Sequence, residues 1–272
     1  MKGGALAGHA DRPVRVDTWH GRQAVVKEYR FGGAQAVASS MTVLWHSPFG
    51  RTRRPPGLPK PLALEGPFLV MERIDGPAAG SRGELGATVA VTDAAATLLA
   101  DLHGSRAEVA RKRSGKGIVR SLERKLRELE APRVQLRFAK ALAALDERAL
   151  DGELVVGHGD FSPRNILLAR DGPRLIDFDR CQMAPRERDV SYWGAWAWAT
   201  LALAGRKPDW TIGDRLASAY ASAAGQADSA RASRAAHRAT ALLRITHGWS
   251  ALRARPDVAE LLAGEALRLA RT

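Results

Sequence analysis

One stretch of this chain constrains its fold more than any other: Val156-Gly157-His158-Gly159-Asp160-Phe161-Ser162-Pro163-Arg164-Asn165-Ile166-Leu167-Leu168, followed by Leu175-Ile176-Asp177-Phe178-Asp179. It sets a carboxylate, an amide and a second carboxylate around two short apolar runs. Residues 165–169 and 174–178 read as β-strands, and Arg170-Asp171-Gly172-Pro173 between them is turn chemistry. Asp171-Gly172 favours a tight hairpin, with Pro173 removing one ladder donor. A turn centred on residues 171–172 pairs residue 166 with 177 and lays Asp177 beside Asn165, with Asp160 just upstream. The expectation is two hard-oxygen ligands for magnesium beside a general base, the set that phosphoryl transfer from a nucleotide requires.

His158-Gly159-Asp160 through Asn165, then Ile176-Asp177-Phe178, resembles the catalytic and metal-binding loops of the aminoglycoside phosphotransferase and choline kinase-like superfamily. These are small-molecule kinases with a protein-kinase-like fold. The resemblance implies an α+β, bilobal chain: a small β-rich N-lobe (1–75) that binds nucleotide and a larger helical C-lobe (76–272) with the catalytic and acceptor groups. It implies Asp160 as catalytic base, Asn165 and Asp177 as magnesium ligands, and His158 as a brace of the loop. ATP or GTP and Mg2+ follow as cofactors, and a small-molecule hydroxyl as phosphoryl acceptor.

A chain of 272 residues can bury the core that two such lobes need. A single cysteine, Cys181, excludes a disulfide framework and a cysteine zinc site, and points to a reducing compartment. Residues 1–8 lack the apolar run of a signal peptide, and the longest apolar stretch, Trp193 to Ala204, is too short to span a bilayer. The expectation is a cytoplasmic protein without a transmembrane segment. Net charge is +13, from 42 basic and 29 acidic residues, yet the basic residues are scattered and no nucleic-acid module is visible. Nucleic acid is not an expected partner.

The first 75 residues are strand-rich. Residues 14–19 and 23–29 flank His20-Gly21, a hairpin turn, and alternation puts Gln23, Val25, Lys27 and Tyr29 on one face. Pairing sets Val16 opposite Val25, an apolar pair beside a lysine that suits a purine and its phosphates. The resemblance makes Lys27 the phosphate-binding lysine. Residues 67–76, after Pro59 and Pro61, read as the strand leading into an interlobe hinge, where such kinases hold adenine by backbone groups. Met71, Glu72 and Arg73 carry that expectation.

The second part is helical. Leu85, Val89, Ala96, Leu99 and Leu102 fall at helical spacing and Gly104 can stop that helix. Amphipathic segments follow at 118–129 and 134–145, with residues 111–117 read as a solvated basic connector. Asp189 is placed to cap the helix of Tyr192, Trp193, Trp196 and Trp198, which read as core; in the family an aspartate near this place supports the catalytic loop. Helices run on to the C-terminus, broken at Pro208 and Pro256. Asp179, on the face of Asp177 if the strand continues, is a further candidate for a metal or acceptor contact.

Two departures from the family pattern favour an alternative, a catalytically impaired pseudokinase that binds nucleotide. No GxGxxG loop precedes Lys27, where Gly3, Gly4 and Gly8 are the only glycines before Gly21. No Asp or Glu occurs between Glu28 and Glu65, so the helix glutamate that usually pairs with the lysine is missing. Gln35 or His46, on a helix over 35–46, are the candidate neutral substitutes. The intact Asp160, Asn165 and Asp177 oppose the pseudokinase reading.

From Arg180 onward there are 14 Lys/Arg against 8 Asp/Glu, the wrong sign for a polycationic aminoglycoside. The expected acceptor is a neutral or anionic hydroxyl compound. A second resemblance agrees: residues 27–33 and 175–180 look like stretches of lipopolysaccharide-core sugar kinases, which act on anionic glycolipids at the inner membrane face.

Overall fold

The computed structural model describes residues 5–9, 12–81, 85–226 and 231–272, so Gly3 and Gly4 lie outside it. Strands β1 (Ala5–His9), β2 (Arg12–Trp19) and β3 (Arg22–Glu28) lead into helices α1 (Ala34–His46) and α2 (Pro48–Arg51). Strands β4 (Pro61–Glu65) and β5 (Phe68–Glu72) complete an antiparallel sheet of order β1-β2-β3-β5-β4. The β2–β3 hairpin turns at His20-Gly21, both with positive φ, as a two-residue hairpin turn matched to strand twist requires. Val16 pairs with Val25 and Val14 with Lys27, the expected register. Alternation then divides the sheet. Ala24, Val26 and Val70 pack with Trp19, Ala63 and Phe68 on one side, leaving Val25 and Lys27 on the other.

Helices α3 (Gly86–His103), α4 (Gly115–Arg127) and α5 (Pro132–Ala144) come next. Four short strands follow: β6 (Leu154–Gly157), β7 (Ile166–Ala169), β8 (Gly172–Leu175) and β9 (Gln182–Pro185). Helices α6 (Glu187–Leu203), α7 (Thr211–Ala224), α8 (Arg231–Gly248) and α9 (Pro256–Ala270) finish the chain. One core joins α1 and β5 to α3, the short strands and α6, through Met41, Leu44, Phe49, Leu69, Leu99, Phe161, Phe178 and Trp193. The segment after β5 is stitched to the β7–β8 hairpin: Leu168 N–H donates to the Pro77 carbonyl and Ala79 N–H to the Ile166 carbonyl, both at 2.8 Å. Gly76, at φ 156°, passes so close to the Leu168 carbonyl that no Cβ fits. A second core joins α4, α5, α6, α8 and α9 around Phe138, Trp196, Leu242 and Leu262. Trp193 and Trp196 are fully buried, as expected of core. Among the described residues no helix is long and apolar enough to cross a membrane.

Several expectations are corrected. The β7–β8 hairpin pairs Ile166 with Leu175 and Ala169 with Gly172, so its turn is Arg170-Asp171, two positions off the expected 166–177 pairing. Pro173 faces Leu168, whose N–H is spent on Pro77 rather than across the hairpin, so the missing proline donor costs the ladder nothing. Neither strand runs as far as expected: Pro163–Asn165 is a 3₁₀ turn, and Asp177 takes a left-handed conformation before a second one at Phe178–Arg180. Residues 115–117 are not connector but the first turn of α4, capped by Ser114, whose hydroxyl accepts from Gly117 N–H at 3.2 Å. The helical run does break before Pro256, between α8 and α9, and Pro256 itself opens α9 in the first-turn position that needs no N–H. Asp189 does not cap α6, which begins at Glu187; its carboxylate is engaged elsewhere.

Candidate active site

The loop between β6 and β7 hangs on one buried carboxylate. Asp189, in the first turn of α6, accepts from His158 N–H at 2.6 Å and Gly159 N–H at 2.9 Å. Burial would raise its pKa, but His103, with Nε2 3.6 Å away, and Arg188 outweigh that and leave it at about 2. Gly159 has φ 78°, and a Cβ there would strike the Arg180 carbonyl, so the loop requires glycine. His158 is fully buried. Its Nδ1 accepts from Asp160 N–H at 3.2 Å, so Nε2 carries the proton and donates to the Ile176 carbonyl at 2.8 Å. Its ring meets Phe178 edge-on at 5.0 Å. His158 thus ties the Asp160 loop to the strand end that carries Asp177.

Asp160 sits at the mouth of this loop, its side chain 14% exposed, with Arg244 Nη2 at 3.1 Å from Oδ1. Burial again raises the pKa, while Arg244, Arg180, Arg164 and the Tyr192 hydroxyl lower it, to about 2 overall. Arg244 lies over the Tyr192 ring at 4.3 Å. Arg244 was not among the sequence candidates, because no motif marks an arginine 84 residues downstream. Tyr192 was read as core, which it is, with its hydroxyl at the carboxylate as well.

Asn165 is buried and donates from Nδ2 to the Asp160 carbonyl at 2.8 Å; among the described residues its amide oxygen has no hydrogen-bond donor. Ile176 N–H donates to the Asn165 carbonyl at 2.9 Å, which sets Asp177 one step past Asn165 on the facing strand. Asp177, at φ 66°, presents Oδ1 2.7 Å from Lys27 Nζ.

Lys27, 8% exposed, has a second carboxylate at 2.8 Å: Asp179. Asp179 also accepts from Tyr29 Oη at 2.6 Å and pairs with Arg12 Nη1 at 2.7 Å, while its backbone carbonyl accepts from Arg111 Nη1 at 2.8 Å. Burial opposes ionisation of Asp179, but Lys27, Tyr29 and Arg12 win and hold its pKa below the usual range. The acid missing from α1 is therefore supplied by the turn after Asp177. Gln35 and His46 do not stand in for it: both are exposed, with Gln35 donating to Ser39 Oγ at 3.2 Å and His46 Nδ1 2.7 Å from Arg51. Tyr29 and Asp179 also join the two stretches that carry the second resemblance.

Val16, Val25 and Met71 form one row across β2, β3 and β5, next to the Lys27–Leu69 pair. Glu72 and Arg73 are exposed and turn elsewhere: the Glu72 carboxylate accepts from Lys60 N–H at 3.0 Å, and Arg73 meets Gln23 at 3.1 Å and Asp75 at 2.8 Å. Glu72 N–H is itself spent on the Lys60 carbonyl at 2.8 Å. Cys181 is buried, its thiol pushed up to about 12 by burial and Asp189.

The sequence model of the phosphotransferase enzyme family matches residues 4–237. Solved structures share the fold at low identity. A choline/ethanolamine kinase family protein from Mesorhizobium loti is 15% identical over 100% of this chain and 92% of that one, with a TM-score of 0.67. A thermostable mutant of an aminoglycoside phosphotransferase is 11% identical over 100% and 94%, with a TM-score of 0.68. LicA in complex with AMP is 15% identical over 99% and 91%, with a TM-score of 0.66; LicA is a choline kinase of Streptococcus pneumoniae. No curated protein matches the chain by sequence.

Proposed function

The chain belongs to the phosphotransferase enzyme family, and from that premise we propose that it transfers the γ-phosphoryl group of ATP, with Mg2+, to a hydroxyl of a small molecule. The observation that carries the reading is the convergence of Asp160, Asn165 and Asp177 at one loop junction, with Lys27 bonded to the last of them. The donor set suits a hard cation: the amide oxygen of Asn165 and the carboxylate of Asp177 are the ligands, with phosphate oxygens and water to complete the shell. Among the described residues no cluster of three or more His, Cys, Asp or Glu offers a self-sufficient metal site, which fits a metal that arrives with nucleotide. When bound, the ion supplies charge neutralisation on the phosphates.

The chain's own residues do the rest. The Val16–Val25–Met71 row is the apolar surface for the base, and Lys27 faces the phosphates. Two carboxylates on one ammonium let Asp177 turn to a cation while Asp179 keeps Lys27 in place. Asp160, with a pKa of about 2, is ionised at neutral pH and a weak base. Its work is to orient the hydroxyl and to receive the proton late, when bonding to phosphorus has made the oxygen acidic. Position and charge carry the catalysis.

ADP release from MgATP, measured across a panel of hydroxyl compounds, tests the reading. The native chain turns over with at least one acceptor and Asp160→Asn does so about 10³-fold more slowly, while both bind ATP alike. If both bind ATP and neither releases ADP with any acceptor, the pseudokinase reading takes its place.

A further inference from the structure

The surroundings of Asp160 hold more cationic groups than they have anions to match. Arg244 takes its Oδ1, and Arg164 and Arg180, from either side of the hairpin, act on the same carboxylate. Behind Arg244, Lys125 of α4 lies 3.2 Å from His247 Nδ1, one turn further along α8. Arg113 and Arg188 converge on Gln182: Arg113 Nε is 3.5 Å from one end of its amide and the Arg188 guanidinium faces the other, so one amide oxygen cannot serve both. Among the described residues, Lys125, Arg164, Arg180 and Arg188 form no salt bridge of their own; Glu128, 2.7 Å from His247 Nε2, acts on Lys125, Asp189 on Arg188, and Asp160 with Asp177 on Arg180, which still leaves the cations in excess.

The mutual repulsion is visible in their ionisation. The charge of Arg244, ahead of burial, lowers the pKa of Arg180. Burial, then Arg180 and Arg244, lower that of Lys125, and burial with Arg244 brings Arg188 down to about 9. Such a shell is costly unless an anion joins it. Arg180 is exposed, and Lys125, Arg164, Arg188 and Arg244 are half-buried, so a ligand at Asp160 can reach them.

We propose that this basic shell is the acceptor's anion site, so that the hydroxyl compound phosphorylated at Asp160 carries a carboxylate or phosphate group beside the reacting hydroxyl. The proposal rests on the kinase reading above. A cationic acceptor meets repulsion here, and a neutral one leaves the shell unmatched. The anion pairs with Arg180, Arg188 and Lys125 while Arg244 stays on Asp160.

Calorimetric titration of the full chain with glucose, glucosamine, glucuronate and glucose 6-phosphate, and separately with MgATP, tests it. At least one of the two acidic probes binds about tenfold more tightly than glucose, glucosamine binds most weakly, and the acid preference shrinks as salt is raised. Arg188→Gln and Lys125→Gln each erode the acid preference about fivefold with MgATP affinity unchanged. The half-exposed Lys125 guards against a folding failure of the first variant. If neither acid binds more tightly than glucose, or the folded variants keep the full preference, the anion site is refuted. A chain that binds MgATP without preferring acids loses this proposal alone. One that prefers acids without binding MgATP keeps the anion site and loses the kinase reading.

Discussion

The Asp160 loop and the Asp177–Asp179 turn lie side by side, yet their fastenings differ in kind. The first is fastened by backbone N–H groups to a buried carboxylate within the same lobe, Asp189, and by the His158 ring. The second is fastened by ion pairs to side chains of the N-terminal sheet, Lys27 and Arg12, with the Tyr29 hydroxyl beside them. Backbone bonds to a buried acid allow one geometry, because a lost partner leaves buried donors unsatisfied. Ion pairs between side chains can be exchanged for a cation or for phosphate oxygens. On the proposed reading, the difference gives rigidity to the group set as base and exchangeability to the groups set for metal and phosphate.

The comparison can be broken at several points. Asp160→Asn keeps the loop and removes the base, and is expected to lower kcat about 10³-fold, or about 4 kcal/mol, with ATP affinity retained. Steady-state ADP release checks it; a loss below tenfold would move the base elsewhere. Asp189→Ala strands two buried N–H groups and should destabilise the fold by about 3 kcal/mol in urea denaturation. A cost near zero would mean that the loop is fastened by something else.

Acid sharpens the same contrast. Asp189 and Asp160 are both held at about 2, below the ordinary 3.8. A depressed carboxylate contributes stability that is complete above its unfolded pKa and is lost as pH falls through the folded one. The contribution, about 2 kcal/mol for each of these groups, should therefore disappear between about pH 4 and pH 2. Asp189→Asn should flatten that slope in acid unfolding; an unchanged slope refutes the assignment. Asp179→Asn, on the exchangeable side, should raise KM for ATP about tenfold, or about 1.4 kcal/mol, with a smaller change in kcat. Gln35→Ala, on the exposed face of α1 away from Lys27, should leave KM and stability within about 0.5 kcal/mol of native.

Sequence reading places neighbours best where the contacts are local. Asp160, Asn165 and Asp177 lie on one loop and one hairpin, so their spacing and two apolar runs were enough to bring them together. The hairpin register differs by two positions from the expected one: with the turn at Arg170-Asp171, Pro173 falls opposite Leu168 in a pair that exchanges no ladder bonds, the position where a missing donor costs nothing. Asp179 stands out in the sequence by its position but not by its partner, since Lys27 lies far upstream on another element. Asp189 was marked as a cap or a support, and only the fold decides between them: the carboxylate faces the loop, not the helix N-terminus. Arg244 and the cations around it leave no trace in spacing, because elements far apart in the chain contribute them.

The central claim is that Asn165 and Asp177 form a cation site that works with nucleotide. Titration calorimetry of ATP with and without Mg2+, on the native chain and on Asp177→Asn, tests it most directly. The account predicts that Mg2+ tightens ATP binding at least about tenfold in the native chain and has no such effect in the variant. Equal ATP affinity with and without Mg2+ in the native chain, or an undiminished Mg2+ effect in Asp177→Asn, would contradict it.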